Sequence, residues 1–106
     1  MRGCYDEWVE EQRSYYNEQY LHMLETLAMA AFGQKEWPRA LQLTNQILRD
    51  DPYREDIHCL VMRTHAAQGN GAAVKEQYET LRALLRKELA VEPASETQKV
   101  YRGLIG

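Results

Sequence analysis

The sequence has few residues that interrupt helices. Of its 106 residues, three are proline and six are glycine, and nearly all of these lie at apparent helix boundaries. The segments between them are rich in Ala, Leu, Glu, Gln and Arg, which favour α-helix. The composition therefore predicts an all-α class, folded as one domain with a single modest core.

Long apolar runs and a basic amino-terminal segment are also absent. No stretch long enough to span a membrane is apolar throughout, and residues 1–20 carry acids instead of a basic start followed by an apolar run. We therefore expect no membrane span, no signal peptide and a cytoplasmic location. The two cysteines, Cys4 and Cys59, lack the spacing of metal ligands, so free thiols are expected instead of a disulfide.

Basic residues are too scattered for this segment to bind nucleic acid by itself. The formal net charge is −3, and the chain has no cluster of Lys and Arg beyond Arg86-Lys87. A surface of this sign repels phosphate backbones. We therefore predict no direct contact between this segment and nucleic acid.

The motifs of common enzymes, cofactor sites and metal sites are missing too. The chain has no Ser-His-Asp order with a supporting glycine motif, no G-x-x-x-x-G-K loop and no paired carboxylates outside helix surfaces. His22, His58 and His65 form neither an H-E-x-x-H pair nor a set spaced with cysteines. We predict no enzymatic activity, no cofactor and no metal.

Residues 50–85 carry the clearest helical pattern and read as two helices. The first has a broad apolar face that includes Ile57 and Val61. Between the helices, Gly69-Asn70-Gly71 tolerates the positive φ that an immediate reversal requires. In the second helix, apolar residues recur at steps of four, three and four, namely Val74, Tyr78, Leu81 and Leu85. The segment therefore predicts an antiparallel helical hairpin.

A shift of 34 residues places an earlier part of the chain on this hairpin. A period of 34 with small or apolar residues in register is typical of tetratricopeptide repeats. We predict a tetratricopeptide-like right-handed α-α superhelix of about five helices, and the alternative is an ordinary helical bundle. The aligned pairs are Ala40 with Val74, Leu24 with His58, Leu27 with Val61, Ala28 with Met62, and Ile47 with Leu81.

Turn and capping residues predict the helix boundaries. The first helix is expected from Tyr5 to about Phe32, and Gly33 ends it. Pro38 opens the second helix, Asp51 is expected to cap the third with Pro52 at its first position, and the fourth runs over about 72–89. Ser95 and Gln98 read as the capping box of a short fifth helix that covers the second hairpin.

The remaining expectations concern domain limits and aromatic residues. Residues 1–4 are expected to be a domain-edge remnant, and residues 5–106 a single domain. Five aromatic residues are expected in the core or at hairpin joints, because aromatics bury the largest area per side chain. They are Trp8, Trp37, Tyr53, Tyr78 and Tyr101.

Three short motifs and a glycine turn occur between residues 51 and 96. They are D-P-x-x-E-x-x-H-x-x-x-M, then the turn, then Y-x-x-L-x-x-x-L and a segment close to E-L-G-x-x-P-x-x-E. Together they resemble the bacterial transcriptional activator domain of SARP-type regulators, which are related to those controlling antibiotic pathways. Ala90 stands where the family usually has glycine. The motif residues are Asp51, Pro52, Glu55, His58, Met62, Gly69, Tyr78, Leu81, Leu85, Glu88, Leu89, Val91, Glu92, Pro93 and Glu96.

The resemblance implies a tetratricopeptide-like interaction and regulatory domain without catalytic residues. In that family the domain usually follows a winged-helix DNA-binding domain and is thought to act through protein contacts. The implied partners are its own DNA-binding domain, a second protomer in a homodimer, or the transcription machinery. The alternatives are a stand-alone tetratricopeptide adaptor that binds a protein tail and an obligate dimerisation module.

The repeat register also predicts a protein-binding groove on the first helix of each unit. Mixed polar side chains at helical spacing suit an extended peptide or a helix, and the alternative is a solvated face without a partner. The six groove residues are His22, Glu25, Met29, Asp56, Cys59 and Arg63.

The long first helix carries a second candidate surface, an exposed aromatic interface. Tyr15, Tyr16 and Tyr20 fall on more than one side of this helix, so at least one is expected to be exposed. Exposed tyrosines beside acids suit a protein interface. The alternative is partial burial under the last helix.

Overall fold

Five α-helices form the fold. The computed structural model describes the backbone of residues 2–106 and the side chains of residues 16–106, and no strand occurs within that part of the chain. The all-α prediction is thus confirmed, whereas the right hand of the superhelix stays a prediction. The helices are α1 (Arg2–Gly33), α2 (Trp37–Asp50), α3 (Glu55–Ala67), α4 (Gly71–Leu89) and α5 (Ser95–Ile105).

The helices pack as two successive pairs with a covering fifth helix. α1 packs on α2, α3 packs on α4, and α2 joins the pairs by packing on α3. Leu24, Ile47 and Ile57 form a core cluster at this junction, with one residue from each of the first three helices. α5 lies against α3 and α4, as predicted. Its side chains cover a second cluster, in which Val100, Tyr101 and Leu104 pack against Cys59, Met62 and Val74.

The turn between α3 and α4 contains the predicted glycine. Gly69 has a φ of 74°, in the left-handed region that favours glycine. Asn70 is the N-cap of α4, and its side-chain oxygen accepts a hydrogen bond from the N–H of Ala73 at 3.1 Å. The turn therefore ends one helix and starts the next within four residues.

The prediction that Asp51 caps α3 is wrong. α3 begins at Glu55, after a turn over residues 52–53, and Arg54 occupies the N-cap position without a side-chain cap. The Pro52 carbonyl binds the ring of His58 at 2.8 Å, so it is held by a side chain in place of a helical N–H. This bond holds the turn over residues 52–53 against the first turn of α3.

Two contacts between aromatic rings confirm part of the set of aromatic residues predicted to lie in the core or at hairpin joints. Tyr78 and Tyr101 stack with ring centroids 3.9 Å apart, which fixes α5 on α4, and Phe32 meets Trp37 edge to face at 5.3 Å. The prediction is wrong for Tyr53, because this residue lies in the turn before α3 and is 39% exposed. The side chains of Cys4, Trp8 and Tyr15 lie outside those that the structure describes.

Ala90 occupies a backbone position that suits glycine. It follows α4 with φ 56° and ψ 36°, a left-handed conformation in which Cβ crowds the backbone. We expect Ala90→Gly to raise the free energy of unfolding by about 0.5–1 kcal/mol, because the relieved strain exceeds the entropy that glycine loses. Ala83→Gly on the exposed face of α4 should instead lower it by about 1 kcal/mol. Urea denaturation checks both values, and a destabilised Ala90→Gly would contradict the left-handed turn.

Candidate protein-binding groove

A cleft of about 360 Å³ lies between α3 and the start of α5. Three of the six predicted groove residues line it, namely Asp56, Cys59 and Arg63. The first two helix pairs alone do not make this cleft, because α5 forms its second wall. The lining residues from α5 and the segment before it are Ala94, Glu96, Thr97 and Val100, and Glu55 completes the α3 wall.

Glu55 fixes the start of α5 against α3. Its Oε1 accepts hydrogen bonds from the N–H of Ala94 at 2.9 Å and from Thr97 Oγ1 at 2.8 Å, and Thr97 is buried. Ala94 is the N-cap residue of α5, so a carboxylate from another helix satisfies one of the amides that the helix start leaves unpaired. The cleft therefore has a defined width.

The predicted capping box of Ser95 and Gln98 is wrong. Ser95 is already the first helical residue, and no side chain within the helix caps it. Gln98 instead donates from Nε2 to the carbonyl of Pro93 at 2.8 Å. The amide of Ala94, the residue before Ser95, is bound by Glu55, 39 residues away in sequence.

Arg54 connects the two repeats at the edge of the groove. Its guanidinium lies 3.0 Å from a carboxylate oxygen of Glu25 on α1 and 2.7 Å from one of Asp56 on α3. The hydrogen bond with Asp56 and the pairing with Glu25 raise the pKa of Arg54, and the same Arg54 bond lowers the pKa of Asp56. Two predicted groove residues, one on each repeat, are thus tied together by a residue that sequence reasoning missed.

Cys59 and Arg63 differ in their access to solvent. Cys59 is 8% exposed, and burial raises the pKa of its thiol, so it contributes a neutral apolar wall to the cleft. Arg63 is exposed at the rim of the cleft. The remaining predicted residues, His22 and Met29, are exposed on α1 and do not line the cleft.

The exposed tyrosines lie on α1. Tyr16 is 66% exposed and Tyr20 is 45% exposed, so neither is covered by the last helix. They belong to a row of exposed apolar side chains on α1, which is separate from the cleft.

His58 is a buried, fully hydrogen-bonded histidine. Its Nε2 donates to the carbonyl of Pro52 at 2.8 Å, and its Nδ1 accepts from Nε2 of Gln77 at 2.8 Å. This pattern requires the neutral ring, and burial lowers its pKa from the ordinary value. No group of three metal-ligating side chains occurs among the residues whose side chains are described.

The sequence of this chain matches the model of one protein family. The model described as bacterial transcriptional activator domain matches residues 2–105, nearly the whole sequence. The chain belongs to this family. No curated protein and no solved structure gives a significant match to this activator domain. Within its described residues, no helix is both long and apolar enough to cross a membrane.

The motif residues of the activator domain hold its helices together. Glu55 binds α5, His58 binds the turn before α3 and α4, and Met62 is fully buried between the helices. The same stretch supplies Asp56, Cys59 and Arg63 to the cleft. The stretch that carries the family motif thus also forms one wall of the cleft.

The stability of the activator domain should depend on pH through His58. Because the folded-state pKa lies below the unfolded value of about 6.5, the folded state binds fewer protons, and stability is full above that value and falls as the pH is lowered through it. We expect a loss of about 0.5–1 kcal/mol between pH 7.5 and pH 5.5. His58→Gln should remove this dependence, and denaturation curves at both pH values check it. An equal pH dependence in the variant would contradict the assignment.

Proposed function

We propose that this domain is the interaction and regulatory part of a bacterial transcriptional activator, that it works in the cytoplasm through protein contacts, and that it contacts neither nucleic acid nor a chemical substrate. Membership of the activator family supports the regulatory role. The cleft between α3 and α5 carries the proposal of protein contact, because it is a concave surface with mixed polar and apolar walls.

The groove has the rigidity that a recognition surface needs. Glu55 fixes one wall through Ala94 and Thr97, and Arg54 fixes the outer edge through Glu25. A surface that is already ordered loses little conformational entropy when a partner binds. The groove is therefore suited to an extended segment or a helix that keeps most of its contact energy.

The charges of the groove favour a partner that places an acidic or amide side chain beside Arg63. The carboxylates are those of Glu25, Glu55, Asp56 and Glu96, and the guanidiniums are those of Arg54 and Arg63. Arg54 is already paired with two of these carboxylates, which leaves Arg63 as a guanidinium at the rim. The family resemblance implies three partners that could supply such a segment. They are the DNA-binding domain of the same protein, a second protomer and the transcription machinery.

A reporter assay tests this proposal in bacteria. The chain is fused to a heterologous DNA-binding domain whose operator lies upstream of a weak promoter. We expect the fusion to raise reporter transcription above that given by the DNA-binding domain alone. Arg63→Glu should reduce the increase by about fivefold or more, since a reversed charge at a polar interface costs a few kcal/mol.

Arg49→Glu is the matched control, because Arg49 is exposed on α2 and lies outside the cleft. It should leave the increase unchanged. Equal activation by wild type and Arg63→Glu would contradict contact through the groove. Sedimentation of the unfused chain at micromolar concentration tests the second protomer, which a strict monomer would exclude.

A further inference from the structure

One apolar row on α1 is exposed although a parallel row on the same helix is buried. Leu24, Ala28 and Ala31 are buried in the core. The exposed row, which we name the α1 stripe, consists of Tyr20, Met23, Leu27 and Ala30 at steps of three, four and three. Tyr20 is 45%, Met23 50% and Leu27 38% exposed. This spacing lays the four side chains along one side of the helix, as on the face of a helix that packs against another helix.

The internal repeat shows what covers the equivalent row of α3. The shift of 34 residues places Met23 on Ile57, Leu27 on Val61 and Ala30 on Thr64. In α3 these three positions are buried, with 2%, 2% and 0% of the residue exposed. Ile57 lies in the core cluster that contains Ile47 of α2, with Leu43 and Leu48 packed against it. The α1 stripe therefore contains, at Met23, the equivalent of a residue that packs against α2 one repeat later.

A pocket extends the α1 stripe toward α2. It has a volume of about 190 Å³ and is lined by Leu27, Ala30 and Ala31 together with polar residues from the α1–α2 junction. These polar residues are Gln34, Glu36 and Arg39. A space of this size suits one aliphatic or aromatic side chain, and the polar rim suits the edge of an interface.

We propose that the α1 stripe receives an amphipathic α-helix of a partner protein, which lies on α1 as α2 lies on α3. The partner helix would present small and branched aliphatic side chains at helical spacing, as α2 does with Ala40, Thr44 and Ile47. One of its side chains would enter the pocket beside Leu27.

Charge selects a separate partner over a second copy of this chain. The sequence of α1, Arg2–Gly33, contains six acids and two arginines, a net charge of −4. Each copy of α1 carries this net negative charge, so the charge opposes the pairing of two copies. A partner helix with basic residues beside its apolar face would instead be attracted.

This inference deepens the proposed interaction role by assigning a second surface to it. The α1 stripe lies on α1, the cleft lies between α3 and α5, and they share no residue. Failure of the groove experiment would therefore leave the α1 stripe untouched.

The test uses a peptide copy of α2 as the probe. The peptide has the sequence of residues 37–50, with a lactam bridge that joins Lys and Glu placed at positions 45 and 49, both exposed in α2. The full chain is labelled with ¹³C in its methionine methyl groups and observed by NMR. Met23 lies in the α1 stripe, Met29 is an exposed methionine of the same helix outside it, and Met62 is buried.

We expect a saturable shift of the Met23 methyl signal at peptide concentrations up to about 1 mM, with Met29 and Met62 unchanged. Leu27→Glu should weaken the binding at least about tenfold, because the peptide would bury an unpaired charge. Met29→Glu is the matched control and should bind as wild type does. Equal melting temperatures of the two variants establish that both are folded.

Three results of the peptide experiment would overturn the inference. They are no shift of Met23 at 1 mM peptide, equal shifts of Met23 and Met29, and unchanged binding by a folded Leu27→Glu variant. A shift of Met23 that grows with protein concentration in the absence of peptide would assign the α1 stripe to a second copy and would also overturn it.

Discussion

Ile47→Ala should lower the free energy of unfolding by about 2–5 kcal/mol, because it leaves a cavity where both repeats meet. Ile47 is fully buried on α2 and clusters with Leu24 of α1 and Ile57 of α3. The loss therefore affects both helix pairs. Urea denaturation followed by far-ultraviolet circular dichroism measures it.

Ile105→Ala provides a matched control. Ile105 is 43% exposed at the end of α5, so the same change should cost no more than about 0.5 kcal/mol. A loss below 1 kcal/mol for Ile47→Ala would show that the two pairs do not share a core at this residue. A biphasic curve for wild type would show the same.

Glu55→Ala should destabilise the domain by about 2 kcal/mol and weaken the docking of α5. The change removes two hydrogen bonds to a carboxylate, from Ala94 and from the buried Thr97. Each such bond contributes about 1.5–3 kcal/mol, and partial solvent exposure at Ala94 reduces the sum. Because α5 forms a wall of the cleft, reporter activation by the fusion should fall as well.

Glu96→Ala is the control for this change, since Glu96 is an exposed acid in the first turn of α5. It should cost only about 0.5 kcal/mol through the helix dipole. Glu55→Gln keeps an oxygen acceptor at the same position and should recover part of the loss. Equal stability of Glu55→Ala and wild type in denaturant would contradict the role of Glu55 as the cap of α5.

Periodicity was sufficient to predict the helices because their packing faces repeat along the chain. The glycine turn followed in the same way, since Gly69 and Asn70 act on their immediate neighbours. The helix caps predicted at Asp51 and Ser95 are wrong, and contacts outside the local capping patterns hold the backbone there. At the start of α5 the backbone is bound by Glu55, 39 residues away in sequence, and before α3 the turn over residues 52–53 is bound by His58.

The residues that line the cleft were partly predictable, because some of them follow from the spacing along a single helix. Register alone places Asp56, Cys59 and Arg63 on one face of α3, and the structure puts all three on the cleft. The contribution of α5 depends on how a helix more than 30 residues away docks, which no spacing within α3 reveals. Arg54 was missed because its role arises from Glu25, 29 residues earlier.

The repeat register also explains where equivalent residues differ in environment. Leu27 and Val61 occupy the same position in the two repeats, but Leu27 is 38% exposed and Val61 is 2% exposed. The position of a residue within the repeat predicts which face of its helix it lies on, whereas its burial requires a neighbouring helix. α3 has α2 as that neighbour, and in this chain α1 has none on its outer side among the described residues.

Native-state hydrogen exchange of wild type and Ile47→Ala tests the shared core most directly, because it reports the free energy of opening at each amide. We predict that the amides of Ile47 on α2 and Val61 on α3 open with the same free energy, and that Ile47→Ala lowers both by the same amount. A decrease at Ile47 alone, with Val61 unchanged, would show that the two helix pairs open independently and would contradict the account.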